Sequence, residues 1–203
     1  MDEPQILLDE KTIEDLTKTI KNMAELGDDY SMYSYAYLVF QGIFYPHDAQ
    51  ISSIYFKKAA DRGIAEACKE YGLMCTHGKG IPVNKQEGAK YIKMAADQDH
   101  PESLFIYSVF LYRGEGVEQA KKKSTEYLIK SADLGYPEAI FQYSNMLFKG
   151  DEYVEMNKIE SAKYLKKSAD KGHIESISNY AKMLRDGDGI EKNIDESLKY
   201  FKI

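Results

Sequence analysis

The sequence predicts an all-α protein built from a stack of similar helix pairs, a solenoid. A five-residue block of the form Ala-Ala-Asp-x-Gly returns about every 36 residues, and two helical patterns separated by a glycine-rich turn lie between successive blocks. Self-similarity at such a period is the signature of a repeat architecture. In chain order, the copies of the block occupy residues 23–27, 59–63, 95–99, 131–135 and 168–172, and the first of them is the weakest.

Composition excludes several classes of protein. Apolar residues make up 43% of the 203 residues and charged residues 30%, which indicates a folded chain. The net charge of −6 argues against a nucleic acid or an anionic membrane as partner, and no apolar run reaches the roughly 20 residues of a membrane helix. Cys68 and Cys75 would lie about 10 Å apart on one helix, too far for a disulfide, so we expect a cytoplasmic protein.

An N-terminal capping helix is expected in residues 1–28, before the first full repeat. Its helical pattern runs over 9–25, with Asp9 as the candidate N-cap. Leu16 stands where other copies have a small residue, which is typical of a segment that covers the first repeat.

Each repeat begins with a helix, called helix A, whose apolar residues fall at positions i, i+3 and i+7. One column is always tyrosine and the next is always small, which favours close approach of two helices there. The predicted A helices are 29–41, 65–77, 101–113, 137–149 and 174–186. The tyrosine column is Tyr35, Tyr71, Tyr107, Tyr143 and Tyr180, and the small column is Ala36, Gly72, Ser108, Ser144 and Ala181.

A Gly-x-Gly turn follows helix A, where glycine ends the helix by adopting positive φ. Examples are residues 78–80, 114–116 and 187–189. The fourth copy departs from this pattern, because it reads Gly150-Asp151-Glu152-Tyr153 and carries one inserted residue. Insertions are tolerated best in such loops.

The second helix, helix B, has its own tyrosine and small columns and ends in the Ala-Ala-Asp-x-Gly block. Asp48 or Ala49 is expected to open the first one. The predicted B helices are 48–61, 85–97, 121–133, 158–170 and 194–203. Their tyrosines are Tyr55, Tyr91, Tyr127, Tyr164 and Tyr200, and their small residues are Ser52, Gly88, Ser124, Ser161 and Ser197. The last helix stops before a further block, so we expect either a piece of a longer protein or an end that packs on another chain.

The columns small-x-x-x-Tyr-small, Gly-x-Gly-Ile/Val and Tyr-apolar-Lys-x-Ala-Ala-Asp-x-Gly closely resemble the Sel-1-like repeat, a relative of the tetratricopeptide repeat. The resemblance covers about residues 20–203 and divides them into repeats at 29–63, 64–99, 100–135, 136–172 and an incomplete 173–203. It implies a right-handed superhelix whose A helices line a concave groove, and an adaptor role in protein complexes. This chain departs from the family at Asp99, in the fourth turn, and in lacking the disulfides of some secreted members.

No constellation for catalysis, metal or cofactor binding emerges from the sequence. His47, His77, His100 and His173 lack metal-site spacing, and the two cysteines lie on the core stripe. His100 and His173 share one column, where packing or capping is expected. The Gly-x-Gly turns follow a helix without a neighbouring strand, so they are not phosphate loops. The run at residues 121–123, three lysines, is expected to be solvated.

The candidate partner-binding residues are A-helix positions that vary while their neighbours repeat. They lie on the helix face away from the core stripe, and the resemblance places that face in the groove. An exposed apolar patch at Tyr37, Ile106 and Val109 would indicate a partner, whereas Phe105 and Phe141 are also explained by packing. The candidate residues are Tyr33, Tyr37, Lys69, Leu73, His77, Phe105, Ile106, Val109, Arg113, Phe141, Asn145, Lys149 and Lys182.

The favoured hypothesis is a non-enzymatic scaffold that binds a peptide or protein segment in this groove. The alternative is the regulatory or targeting part of a larger enzyme, such as a kinase or a component of a ubiquitin-ligase complex. A weaker third hypothesis is intrinsic hydrolase activity, for which the sequence offers no clustered nucleophile and base. Self-association through the ends of the array is also possible.

Overall fold

The computed structural model describes residues 9–202, and its regular secondary structure in that range is entirely helical. The helices are α1 (Glu10–Glu25), α2 (Asp29–Gln41), α3 (Ala49–Asp61), α4 (Ala65–His77), α5 (Lys85–Ala96), α6 (Pro101–Arg113), α7 (Lys121–Asp133), α8 (Pro137–Lys149), α9 (Lys158–Ala169), α10 (Ile174–Asp186) and α11 (Ile194–Tyr200). The predicted all-α solenoid of helix pairs is confirmed, and all but one of the helices end within one residue of their predicted positions.

Side-chain caps explain where several helices begin. Asp9 accepts a hydrogen bond from the Thr12 backbone N–H at 2.8 Å, and Asp48 caps α3 in the same way. The ring nitrogen Nδ1 of His100 accepts from the Ser103 N–H at 3.2 Å. His173 does the same for Ser176, so the expected capping role of this histidine column is confirmed.

The described helices form two compact units, with the division between Gln98 and Asp99. Helices α1–α5 pack consecutively in the first unit, and α6–α11 pack consecutively in the second. Asp99 holds the position that is glycine in the other blocks, and it adopts a φ of 60°, which an aspartate tolerates better than most residues.

The small columns of helices A and B meet inside the second to fifth repeats, as predicted. In the second unit the Ser124 hydroxyl donates to the Ser108 carbonyl at 2.7 Å, and Ser161 donates in the same way to Ser144 at 2.8 Å. In α5 the column holds Gly88, where a β-carbon would lie only 2.8 Å from the Gly72 carbonyl oxygen. Close helix packing therefore sets the residue size in these columns.

The tyrosine columns form a pair in every repeat. The two rings meet edge to face with centroids 4.7–5.1 Å apart, a favourable aromatic geometry. The helix B tyrosine also donates to the aspartate of the preceding Ala-Ala-Asp block: Tyr91 to Asp61 in the first unit, and Tyr164 to Asp133 and Tyr200 to Asp170 in the second. These bonds fasten one repeat to the next.

The prediction for the last helix was wrong at its end. It was expected over 194–203, but α11 ends at Tyr200, with Phe201 and Lys202 in a turn and Ile203 outside the described residues. Phe201 is half exposed, whereas Phe56, Leu128 and Leu165 are buried in the same column. Most of the stability of a short helix comes from tertiary packing. Because Phe201 is not buried, little packing energy favours a further helical turn beyond Tyr200.

The N-terminal helix α1 packs against α2. Ala24 is buried in the core of the first unit with Ile20 packed beside it, and the Tyr45 hydroxyl donates to the Thr17 carbonyl. Leu16 is half exposed. Residues 1–8 of the expected capping segment lie outside the described residues.

Candidate partner-binding surface

The second unit has a pocket between α6 and α8, floored by α7, which we call the α6–α8 pocket. Its volume is about 570 Å³. Three of the candidate residues line it: Val109 and Arg113 from α6, and Asn145 from α8. Apolar, amide and charged groups therefore meet in one cavity.

A second pocket lies one repeat further on, between α8 and α10 over α9, and we call it the α8–α10 pocket. Its volume is about 280 Å³, and the candidates Asn145, Lys149 and Lys182 line it. The two pockets use the same columns of the repeat, since Val109, Arg113 and Leu128 correspond to Asn145, Lys149 and Leu165. In the second unit, variable A-helix residues thus line two similar cavities, one repeat apart.

The loops that follow α8 and α10 differ in how closely they approach the two pockets. In the loop from α10 to α11, a β-carbon on Gly189 would lie 2.5 Å from the Lys158 carbonyl oxygen, so only glycine allows this close approach to the start of α9. The loop from α8 to α9 has Glu152 at the corresponding position. Its route differs from Gly150 onward, where ψ is 151° compared with 31° at Gly187. The α6–α8 pocket, which this differently routed loop borders, is the larger of the two.

Sequence reasoning missed several residues of the α6–α8 pocket. Tyr112, Lys121 and Tyr153 line it, and none was a candidate. The available signal was the loss of the second glycine at residue 152. From sequence alone, that change indicates only a tolerated loop insertion.

Three aromatic or aliphatic candidates of the second unit do not line these two pockets. Phe105 packs against the cluster around Ile140 with its ring 5.4 Å from that of Tyr136, and Phe141 packs against the cluster around Ile177. Ile106 is half-buried. The two phenylalanines therefore support the packing of adjacent helices, which was the alternative interpretation of their column.

The candidates of the first unit lie on α2 and α4. Tyr37 is 41% exposed with its ring centroid 6.3 Å from that of Tyr33, and Tyr33 also packs 5.9 Å from Phe56. Burial and the carboxylate of Glu70 raise the pKa of Tyr33. Tyr37 is the more accessible ring for a partner.

The polar candidates of α4 are engaged locally. Lys69 pairs with Glu70 at 3.0 Å. The His77 ring nitrogen Nδ1 lies 2.9 Å from the Leu73 carbonyl, so it is bound to its own helix. Leu73 itself is half-buried.

The described residues contain no candidate metal cluster, and both cysteines are buried. Among residues 9–202 no three His, Cys, Asp or Glu side chains gather in a way that could hold a metal ion. Cys68 and Cys75 are free and buried, and burial raises the pKa of Cys68 to about 11, so the thiol resists forming the reactive thiolate. No helix in the described part of the chain is long and apolar enough to cross a membrane.

The succession of similar helix pairs defines this chain as a helical repeat protein. The family described as Sel1 repeat matches it at residues 29–64, 65–100, 101–136, 137–173 and 174–203. The chain belongs to the Sel1 repeat family, whose members are typically protein-interaction scaffolds.

Solved structures with the same fold come from several bacteria. A Sel1 repeat protein from Oxalobacter formigenes has a TM-score of 0.87 at 21% identity, over 92% of this chain and 54% of its own. A protective antigen present in uropathogenic Escherichia coli strains, which displays an SLR fold, gives 0.71 at 24% identity over 92% and 47%. An immunity protein from Pseudomonas aeruginosa gives 0.58 at 17% identity over 90% and 65%.

The chain thus spans about half the length of the first two of these proteins. At such identities the likeness establishes the fold alone. A comparison with curated proteins found no match.

Proposed function

We propose that this protein is a non-enzymatic scaffold that binds a segment of a partner protein along the A-helix face lined by the α6–α8 and α8–α10 pockets. The observation that carries this proposal is the repetition of the pocket. Two successive cavities use the same columns, and five of the candidate residues line them. A row of similar cavities suits a chain molecule whose side chains enter successive cavities.

The lining favours a polypeptide over other ligands. The amides of Gln142, Asn145 and Asn179 offer both donors and acceptors to peptide groups. Leu128 and Leu165 form apolar floors for side chains. The net charge of −6 disfavours a nucleic acid.

The exposed Tyr37 of α2 extends the proposal to the first unit. Tyrosine is a frequent anchor in protein interfaces because it combines a large ring with a hydroxyl. A cytoplasmic location is part of the proposal, since two buried thiols that remain free suit a reducing compartment.

Site-specific photo-crosslinking in cells that express the protein tests the proposal. A photoreactive phenylalanine analogue is placed at Asn145 or Lys182 inside the proposed face, and at Ile174, which is 76% exposed but lies outside both pockets. Mass spectrometry then identifies what each position captures.

We expect the two face positions to crosslink a common protein and Ile174 to crosslink it weakly. The change Arg113→Ser should reduce crosslinking from Asn145 while circular dichroism shows the helices intact. Equal capture from Ile174, or capture that Arg113→Ser leaves unchanged, would place the interaction elsewhere and refute the proposed face.

A further inference from the structure

The two pockets of the second unit differ in one charged contact. Asp188 and Phe148 line the α8–α10 pocket, and the Lys158 ammonium donates to both carboxylate oxygens of Asp188, at 2.7 and 3.0 Å. The same ammonium lies 4.7 Å from the ring centroid of Phe148. This cation therefore has a carboxylate on one side and an aromatic face on the other.

In the α6–α8 pocket the corresponding residues are Lys121, Asp151 and Tyr112. Lys121 keeps its aromatic neighbour, with its ammonium 5.8 Å from the Tyr112 centroid. Asp151, however, turns into its own loop, where Oδ1 accepts from the N–H groups of Tyr153 and Val154, each at 2.8 Å. Within residues 9–202 Lys121 forms no ion pair.

The position that a carboxylate fills in one repeat is thus open in the preceding one. The loop that would bring the carboxylate is held away because Glu152 replaces the glycine needed for close approach. The pocket is about twice as large as its counterpart. Arg113, which has no ion pair among the described residues, adds a second positive charge at the rim.

We propose that the α6–α8 pocket receives an aspartate side chain of a partner segment, followed directly by glycine, which binds Lys121 as Asp188-Gly189 binds Lys158. The carboxylate would complete the charge-assisted hydrogen bonds of the ammonium, and the glycine would permit close approach to the start of α7. The inference rests on the proposed function, since Val109, Arg113 and Asn145 belong to the same face.

The acidic residues of the lining narrow the choice of partner. The carboxylates of Asp151 and Glu152 both place negative charge in the lining, and Oδ1 of Asp151 also accepts from two backbone N–H groups. A second acidic residue next to the bound aspartate would be repelled. The pocket therefore selects one aspartate in an otherwise neutral stretch rather than an acidic run.

The probe for this inference is a peptide with the sequence of residues 184–193 that carries the changes Asp186→Asn and Glu191→Gln, so that Asp188, followed by Gly189, is its only acidic side chain. The peptide is acetylated and amidated to remove its terminal charges. It is titrated into the isotope-labelled protein while backbone amide resonances are followed by NMR. We expect saturable shifts at Lys121, Ser124 and Tyr153, which surround the pocket.

Two matched substitutions identify the contact. Because a charge-assisted hydrogen bond is lost, the peptide change Asp188→Asn and the protein change Lys121→Met should each weaken binding roughly tenfold. Lys122→Met, an exposed neighbour outside the lining, should leave the affinity unchanged. Circular dichroism confirms that each variant folds.

Absence of saturable shifts, or equal binding by the Asp188→Asn peptide or the Lys121→Met protein, overturns the inference. The proposed function fails separately. If a partner is captured at Asn145 equally well by the Lys121→Met protein, the scaffold role stands and the aspartate contact is wrong. If no partner is captured at Asn145 while the peptide binds through Lys121, the pocket recognises aspartate and the scaffold proposal is wrong.

Discussion

The contact between α4 and α5 gives the most direct test of the packing argument, through the change Gly88→Ala. A β-carbon at this position would lie 2.2 Å from the Thr76 hydroxyl oxygen and 2.8 Å from the Gly72 carbonyl oxygen. The second of these atoms belongs to the backbone, so the clash is relieved only if the two helices move apart. We therefore expect the substitution to destabilise the protein.

The expected size follows from two opposing effects. Overpacking a core position costs about 1–3 kcal/mol, and a contact this short favours the upper part of that range. Alanine is better than glycine in a helix interior by about 1 kcal/mol. The free energy of unfolding should thus fall by about 1–2 kcal/mol, which lowers the urea midpoint by roughly 0.5–1 M for a typical m-value.

The assay is urea unfolding followed by circular dichroism at 222 nm. A second change, Thr76→Ala, removes the nearest clashing atom, so the double variant should be more stable than the sum of the single effects predicts, by at least about 0.5 kcal/mol. The reasoning is refuted if Gly88→Ala is as stable as the unchanged protein, or if the two effects are simply additive.

Two further predictions concern titratable groups in the first unit. Burial alone would raise the pKa of Asp61, but hydrogen bonds from Tyr91 and Lys57 outweigh this effect, and the pKa lies below the ordinary 3.8. The ionised Asp61 therefore stabilises the fold above about pH 4, and this stabilisation is lost as the pH falls through the folded-state pKa. Asp61→Asn should accordingly lose less stability than the unchanged protein between pH 6 and pH 3 in urea titrations, and an equal loss in both would contradict this. Because burial raises the pKa of Cys68 to about 11, and Cys75 is also buried, a disulfide reagent at pH 8 should label the native protein at least about a hundredfold more slowly than the urea-unfolded chain. Fast labelling without denaturant would show that these thiols are accessible.

The repeat made most of the fold predictable. Each helix boundary is marked by the same residue types several times, so one weak copy does not disturb the assignment. The capped start at Asp48 and the glycine-terminated end at Gly78 follow from local backbone chemistry. The end of α11 was missed because its length depends on what covers Phe201, and that is a tertiary property.

The candidate site was less predictable, for physical reasons. Column spacing put Val109, Arg113 and Asn145 on one face, and these residues line a cavity. The size of that cavity, however, depends on the backbone route of the next loop. Lys121 lies in a run of three lysines, a pattern that by itself predicts solvated side chains. Only comparison with Lys158, which pairs with Asp188, shows that Lys121 lacks the equivalent carboxylate.

The hydrogen bond from the helix B tyrosine to the preceding aspartate, which Tyr91, Tyr164 and Tyr200 form, has a consequence for how such a protein changes in evolution. The donor comes from one repeat and the acceptor from the one before it, as for Tyr91 with Asp61 and Tyr200 with Asp170. A repeat of this kind thus carries both the tyrosine donor and the aspartate acceptor. When a duplication or deletion adds or removes one whole repeat, the repeats that become neighbours have matching donors and acceptors. The array can therefore lengthen or shorten in a single genetic event without requiring compensating mutations at the junction.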